Sequence, residues 1–189
     1  MEIVGAFQVP IFIGQIQLPE IRHLVWARNK NSFWQTHPDL NKDKLLEQFT
    51  KDIVGCVELF NEKLGYVKRD FFITQMWANR YESNEGIHTN HHANSMYSGI
   101  VYFDNVGSTV FYRESNIKNI NQIPTQQETV FTNDLYEIPS VPGRIVIFPS
   151  YIVHNSTNYT NAQRTTVSFN TFPTELGDPS RFNYLNLNR

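Results

Sequence analysis

The sequence has no second cysteine: Cys56 stands alone, so no disulfide can close within the chain, and the composition fits a reducing cytosol. It has no excess of one charge. Its 16 Lys and Arg face 18 Asp and Glu, a formal net charge of -2, and like charges do not cluster, so neither a nucleic-acid backbone nor an anionic membrane is an expected partner. No apolar stretch reaches the roughly 18 residues that a bilayer-crossing helix needs. The first ten residues, Met1 to Pro10, also lack the basic and long apolar regions of a secretion signal. The expectation is an unexported, cytoplasmic protein. Internal repeats and low-complexity tracts are missing too, and 189 residues suit one domain, 1–189, able to bury about 70% of its unfolded surface.

Two periodicities divide the chain. Around 18–64 the pattern is helical: Leu18-Pro-Glu-Ile starts a brief helix, and from Asp39 to Leu64 apolar residues recur at Leu45, Leu46, Phe49, Ile53, Cys56, Val57, Phe60 and Leu64. Asp39 or Asn41 is the expected N-cap and Gly65 the stop, and Cys56 falls on the apolar face as an inert core position. From about 71 to 173 the period becomes two. Strands are expected over Phe71–Tyr81, Tyr97–Phe103, Thr109–Tyr112, Val130–Tyr136, Ile145–Phe148, Ile152–His154 and Thr165–Phe172. Short strands joined by Asn, Gly, Pro and Ser turns, with no helix between them, argue for a mainly β fold with supporting α-helices: a double-stranded β-helix or jelly-roll barrel. The polar piece Glu114–Gln127 reads as a surface loop or lid over the barrel mouth.

The most informative stretch runs from Val141-Pro-Gly-Arg-Ile-Val-Ile-Phe-Pro-Ser-Tyr-Ile-Val to His154, then through a polar loop to Arg164 and Asn170. A Pro-Gly turn launches a β-branched run, and a second strand starts at Arg164, so an imidazole and a guanidinium come into one cavity. Neutral imidazole binds iron, and a guanidinium fork grips a carboxylate in two places. Thr166 and Ser168 share the Arg164 face of that strand, as does Asn170, while Trp77 and Asn79 on the strand at Phe71 read as cavity wall. Upstream of Tyr97 lies Gly86-Ile-His88-Thr-Asn90-His91-His92-Ala-Asn94. In an extended strand His88, Asn90, His92 and Asn94 point one way and His91 the other.

His154, a loop, Arg164 ten residues on and Ser168 four further resemble the C-terminal half of the Fe(II)- and 2-oxoglutarate-dependent oxygenases. The pairing of His92-Ala-Asn-Ser-Met-Tyr-Ser-Gly-Ile-Val-Tyr-Phe with Pro-Gly-Arg-Ile-Val-Ile-Phe-Pro-Ser-Tyr-Ile-Val-His is similar to small oxygenase-like proteins common in bacteriophage genomes. The resemblance spans roughly Phe33 to Phe172. It implies Fe(II) as cofactor, 2-oxoglutarate as cosubstrate and O2 as oxidant, with His92 the proximal and His154 the distal metal ligand. It also implies that Arg164 and Ser168 hold the distal carboxylate of 2-oxoglutarate, with Thr166 beside them and Tyr102 offering a hydroxyl to its far end. The chain departs from the usual His-x-Asp/Glu pair, because Asn94 stands where the acid would be and Asn90 where the related phage proteins have the first His of a His-x-His-Pro-Asn-Ser pattern. The third ligand is therefore Asn94, His88 or Asn90, in that order of expectation, or water or halide. Asn94 leads because positions i and i+2 of a strand lie about 7 Å apart, against about 13 Å for His88 and His92.

The implied activity is a dioxygenase that couples oxidative decarboxylation of 2-oxoglutarate to hydroxylation of a C–H bond. Its primary substrate is not readable; a peptidyl residue such as proline, in a protein or peptide, is the mildest extrapolation. Two rivals remain: a non-enzymatic jelly-roll binding or virion-associated module, and a cupin-type metal protein that does not use 2-oxoglutarate. Neither rival calls for a carboxylate clamp at Arg164.

Overall fold

The computed structural model describes residues 8–30, 33–82, 89–113, 126–127, 129, 132–157, 162–181 and 183–187. In chain order the strands begin with β1 (Phe12–Gln15), β2 (Ala27–Arg28) and β3 (Trp34–Gln35). The helix α1 (Glu47–Lys63) follows, then β4 (Phe71–Glu82), β5 (Tyr97–Tyr102), β6 (Ser108–Tyr112), β7 (Leu135–Pro139), β8 (Arg144–Pro149), β9 (His154–Thr157) and β10 (Gln163–Pro173). A small hairpin, β11 (Glu175–Leu176) with β12 (Leu185–Asn186), closes the described chain. Two antiparallel sheets form the body, one of seven strands in the order β1-β8-β5-β10-β4-β3-β2 and one of three in the order β7-β6-β9. They remain separate sheets, so the expected double-stranded β-helix is present without closing into a single barrel. No described helix is long and apolar enough to cross a membrane.

The helix is shorter than its apolar period suggests. Asp43 accepts a hydrogen bond from the Leu45 backbone N–H and so caps a 3-10 turn over Lys44–Leu46, which follows another over Leu40–Lys42; α1 proper begins only at Glu47. Its end is where expected, with Gly65 at φ +80°, a left-handed conformation that glycine adopts without steric cost. The brief helix expected at Leu18 is absent, since residues 16–20 carry no regular structure and 22–23 form a turn. Of the strand expected over Val130–Tyr136, residues 130 and 131 lie outside the described residues and β7 begins at Leu135; the strand expected to end at His154 begins there. Most of Glu114–Gln127 lies outside the described residues.

Alternation along the long strands divides the core in two. Met76, Ala78, Val101, Ile145, Ile147, Val167 and Phe169 turn toward α1, where Phe49, Ile53, Val57 and Phe60 cover them. The residues between them, including Ile100, Tyr102, Val146 and Phe148, face the smaller sheet and pack with Phe111, Ile138 and Ile152. One irregularity sustains this division. The β4–β10 register shifts between Asn170 and Thr171, leaving Thr74 as an extra residue whose hydroxyl donates to the Asn170 carbonyl at 3.2 Å. That bulge puts Phe71 and Ile73 on the same face as Met76 and Ala78. Gly99 is required where it sits: a Cβ there would lie 2.2 Å from the Phe169 ring that covers it.

Candidate functional site

The space between the sheets opens as a cavity of about 470 Å³. Its floor is the inward face of the large sheet, with Trp77, Asn79 and Tyr81 from β4, Ser168 from β10, Ile100 from β5 and Phe148 from β8. His154 and Ser156 enter from β9 in the small sheet, and Asn90 and His92 from the irregular stretch that precedes β5. Asn29, Lys30, Phe33 and Gln35, around the β2–β3 hairpin, complete the wall.

The two expected imidazoles meet. The His92 and His154 rings lie nearly parallel, 9° apart, with centroids separated by 5.2 Å. Backbone contacts fix each one: His92 N–H donates to the Ser150 carbonyl at 3.0 Å, and His154 exchanges N–H and C=O with Asn90 at 2.9 and 3.0 Å. The His154 Nδ1 lies 3.0 Å from the Ile152 carbonyl, which can only accept, so Nδ1 carries the proton and Nε2 keeps its lone pair. Phe148, edge-on at 4.7 Å, and Phe111 at 6.0 Å pack against the ring, while Trp77 flanks His92 at 5.8 Å. Burial, followed by the neighbouring His154 and His91, pushes the His92 pKa down to about 4, and burial also lowers that of His154. Both rings are therefore neutral near pH 7, the form that ligates a transition metal.

Arg164, expected in the same cavity as His154, is fully buried and is not among the residues that line it. Its backbone pairs with Tyr81, and the guanidinium carbon sits 5.8 Å from the Tyr81 ring and 5.6 Å from that of Tyr102. Only Nε has a partner, the Ser140 hydroxyl at 3.3 Å; Nη1 and Nη2 are buried without one among the described residues. Burial lowers the Arg164 pKa and the surrounding Tyr102, Tyr81 and Asp104 oppose that effect. Asp104, the carboxylate among these neighbours, accepts from the backbone N–H groups of Thr165 and Val106. A guanidinium with two unused, desolvated nitrogens is suited to an incoming carboxylate.

The other expected residues are distributed unevenly. Ser168 lines the cavity, and its hydroxyl accepts from Asn79 Nδ2 at 3.3 Å, with Asn79 in turn accepting from Gln35 at 2.8 Å. Thr166 is buried between Arg164 and Ser168, paired with Asn79 and Tyr102, but it is not part of the cavity wall. The Tyr102 hydroxyl donates to Thr109 at 2.8 Å and its ring packs beside the Arg164 guanidinium, outside the cavity wall. Residues 93–94 form a turn, Asn94 has φ +57° and is exposed, and it does not reach the cavity that His92 and Asn90 line. The turn breaks the extended alternation on which its placement rested. His91 is exposed, and His88 lies outside the described residues. Among the described residues no set of three His, Cys, Asp or Glu is close enough to share a metal ion.

The hairpin residues Asn29, Lys30, Phe33 and Gln35 were invisible to periodicity, because two strands of two residues each leave no repeating pattern. The aromatic pair Phe33-Trp34 was the available signal.

Residues 75–170 match a protein-family model described as "Putative 2OG-Fe(II) oxygenase". No curated protein sequence matches the chain. Among solved structures, the chain is similar to the non-heme alpha ketoglutarate dependent epimerase SnoN from nogalamycin biosynthesis, with a TM-score of 0.59 and 13% identity over 82% of this chain and 69% of that one. It is similar to HygX from Streptomyces hygroscopicus, which was crystallised with nickel, 2-oxoglutarate and hygromycin B, with a TM-score of 0.54 and 14% identity over 80% of this chain and 74% of that one. A Pseudomonas putida prolyl-4-hydroxylase gives a TM-score of 0.50 and 12% identity over 76% of this chain and 71% of that one. At such identities these three likenesses concern the fold.

Proposed function

Because the chain belongs to the 2OG-Fe(II) oxygenase family, as the match over residues 75–170 establishes, we propose that His92 and His154 hold the iron of a 2-oxoglutarate-dependent dioxygenase while Arg164 and Ser168 hold the cosubstrate. The residues fit these groups. Two neutral imidazoles with fixed orientation face one cavity, and the observation that carries the reading is the buried Arg164 guanidinium with both terminal nitrogens unpartnered. A cupin-type protein without 2-oxoglutarate would leave that desolvated cation unexplained.

When bound, the iron and cosubstrate supply the oxygen chemistry, in which 2-oxoglutarate, O2 and a substrate C–H bond give succinate, CO2 and the hydroxylated product. The chain's own groups orient and select. His154 is held in one tautomer by the Ile152 carbonyl, with Nε2 available to the metal. Asn79 donates to the Ser168 oxygen, which leaves the Ser168 proton free for the distal carboxylate beside Arg164. Tyr81 and Tyr102 place aromatic faces against the guanidinium and restrain it. No side chain needs to act as a general base.

The substrate proposal extends to a peptidyl residue such as proline. Amides at Asn29, Gln35 and Asn79 and aromatic rings at Phe33 and Trp77 would hydrogen-bond a peptide backbone and enclose a small ring. The single cysteine, half-buried with its thiol pKa raised by burial, suits a cytoplasmic setting.

Anaerobic addition of Fe(II) and 2-oxoglutarate tests the site. The expected result is the weak visible charge-transfer absorption of the chelate in wild type and its loss in His154→Ala; no absorption in wild type sinks the reading. Incubation in air with proline-containing peptides, read as a gain of one oxygen by mass, tests the substrate class.

A further inference from the structure

We propose that the side-chain carbonyl oxygen of Asn90 is the third donor to the metal, so that this chain binds its cation with two imidazoles and an amide and no carboxylate. The inference rests on the reading of His92 and His154 as ligands.

Backbone geometry carries it. Asn90 and His154 are directly opposite in an isolated antiparallel bridge and exchange both hydrogen bonds, at 2.9 and 3.0 Å. In such a pair the two Cα atoms lie about 5.5 Å apart and the side chains leave on the same face. The Asn90 side chain therefore starts beside that of His154, and Asn90, His92 and His154 all line one cavity. Two described competitors fall away for separate reasons. Asn94 sits in a left-handed turn outside the cavity, and His91 is exposed and does not line it. The described cavity lining contains no Asp or Glu at all.

The choice of donor has an electrostatic consequence. Carbonyl oxygen is a serviceable ligand for a divalent cation, but it carries no net charge. Two imidazoles and an amide sum to zero, one negative charge fewer than two imidazoles and a carboxylate. Placing a carboxylate at position 90 should therefore strengthen metal binding, and removing the donor should weaken it.

The test is anaerobic titration of Fe(II), and separately Co(II), into metal-free protein, with dissociation constants read by competition against a chromogenic chelator. Asn90→Asp should bind about tenfold tighter than wild type, Asn90→Ala about tenfold weaker, and Asn94→Ala should match wild type. Position 90 is exposed at the rim, so these variants should fold, as thermal melting of the metal-free proteins will confirm. If both Asn90 variants bind as wild type does while His92→Ala and His154→Ala lose the metal, the assignment to Asn90 is overturned and the two-imidazole reading stands. Weakening by Asn94→Ala but not by Asn90→Ala overturns it as well. A wild-type protein that binds neither cation overturns both.

Discussion

The two faces of the seven-stranded sheet are built from the same strands and differ in character: one is apolar throughout its core, and the other mixes apolar and polar groups. Toward α1, Met76, Ala78, Val101, Ile145, Ile147 and Phe169 are each 0% exposed and share one apolar cluster with Phe49, Ile53, Val57 and Phe60 of the helix. Toward the small sheet, the apolar Ile100, Val146 and Phe148 are joined by polar positions, Asn79, Tyr81, Ser98, Tyr102, Arg164, Thr166, Ser168 and Asn170. These polar positions are mostly buried too, and linked by contacts such as Ser98 to Asn170 at 2.8 Å and Tyr102 to Thr109 at 2.8 Å. One face supplies stability through area removed from water. The other keeps desolvated polar groups in place, at some cost to stability, so that they are oriented before a ligand arrives.

Breaking the polar face at Arg164 should give the largest effect. Arg164→Met should cost about 2 to 5 kcal/mol in 2-oxoglutarate binding, the range for losing a buried charge-assisted contact. It should leave the ligand-free protein as stable as wild type or more so, because two unpartnered buried donors are gone. Isothermal titration and urea denaturation measure the two halves, and a strongly destabilised ligand-free variant would mean that the guanidinium has a partner after all. Breaking the apolar face should do the reverse. Ile53→Ala, at a position 0% exposed, should lower unfolding free energy by about 3 kcal/mol with the 2-oxoglutarate dissociation constant of the folded protein unchanged.

The smallest effect comes from pH. Folded His92 takes up its proton only near pH 4, against an ordinary value of 6.5. Between those values the unfolded chain binds more protons, so metal-free stability falls as the pH drops through that window. Above 6.5 neither state is protonated and the contribution is flat. Urea melts at pH 7, 6, 5 and 4 should follow this slope in wild type and in Ile53→Ala, and lose part of it in His92→Gln.

The sequence pattern carried much of this division. Alternation placed β4, β5, β8 and β10, and the spacing from His154 to Arg164 to Ser168 put three candidate site residues on two strands, β9 and β10, two of them at the cavity. What escaped depended on single backbone events that no period records. The capping of a 3-10 turn by Asp43 delayed the helix to Glu47. The left-handed turn at Asn94 carries that residue away from the cavity, while Asn90 stays at it, held by a partner 64 positions away in the chain, His154. The contact of the Tyr102 hydroxyl with Thr109, seven residues on, likewise depends on how β5 and β6 pack rather than on any period.

Thr74 has a consequence that reaches beyond its own position. Because it adds one count to β4, odd positions point inward toward α1 before it, at Phe71 and Ile73, and even positions do so after it, at Met76 and Ala78. A saturation library across this strand should therefore display a phase inversion. Intolerance to charge at 71 and 73 should hand over to intolerance at 76 and 78, and deleting residue 74 should bring the two halves into a common rhythm that suits neither.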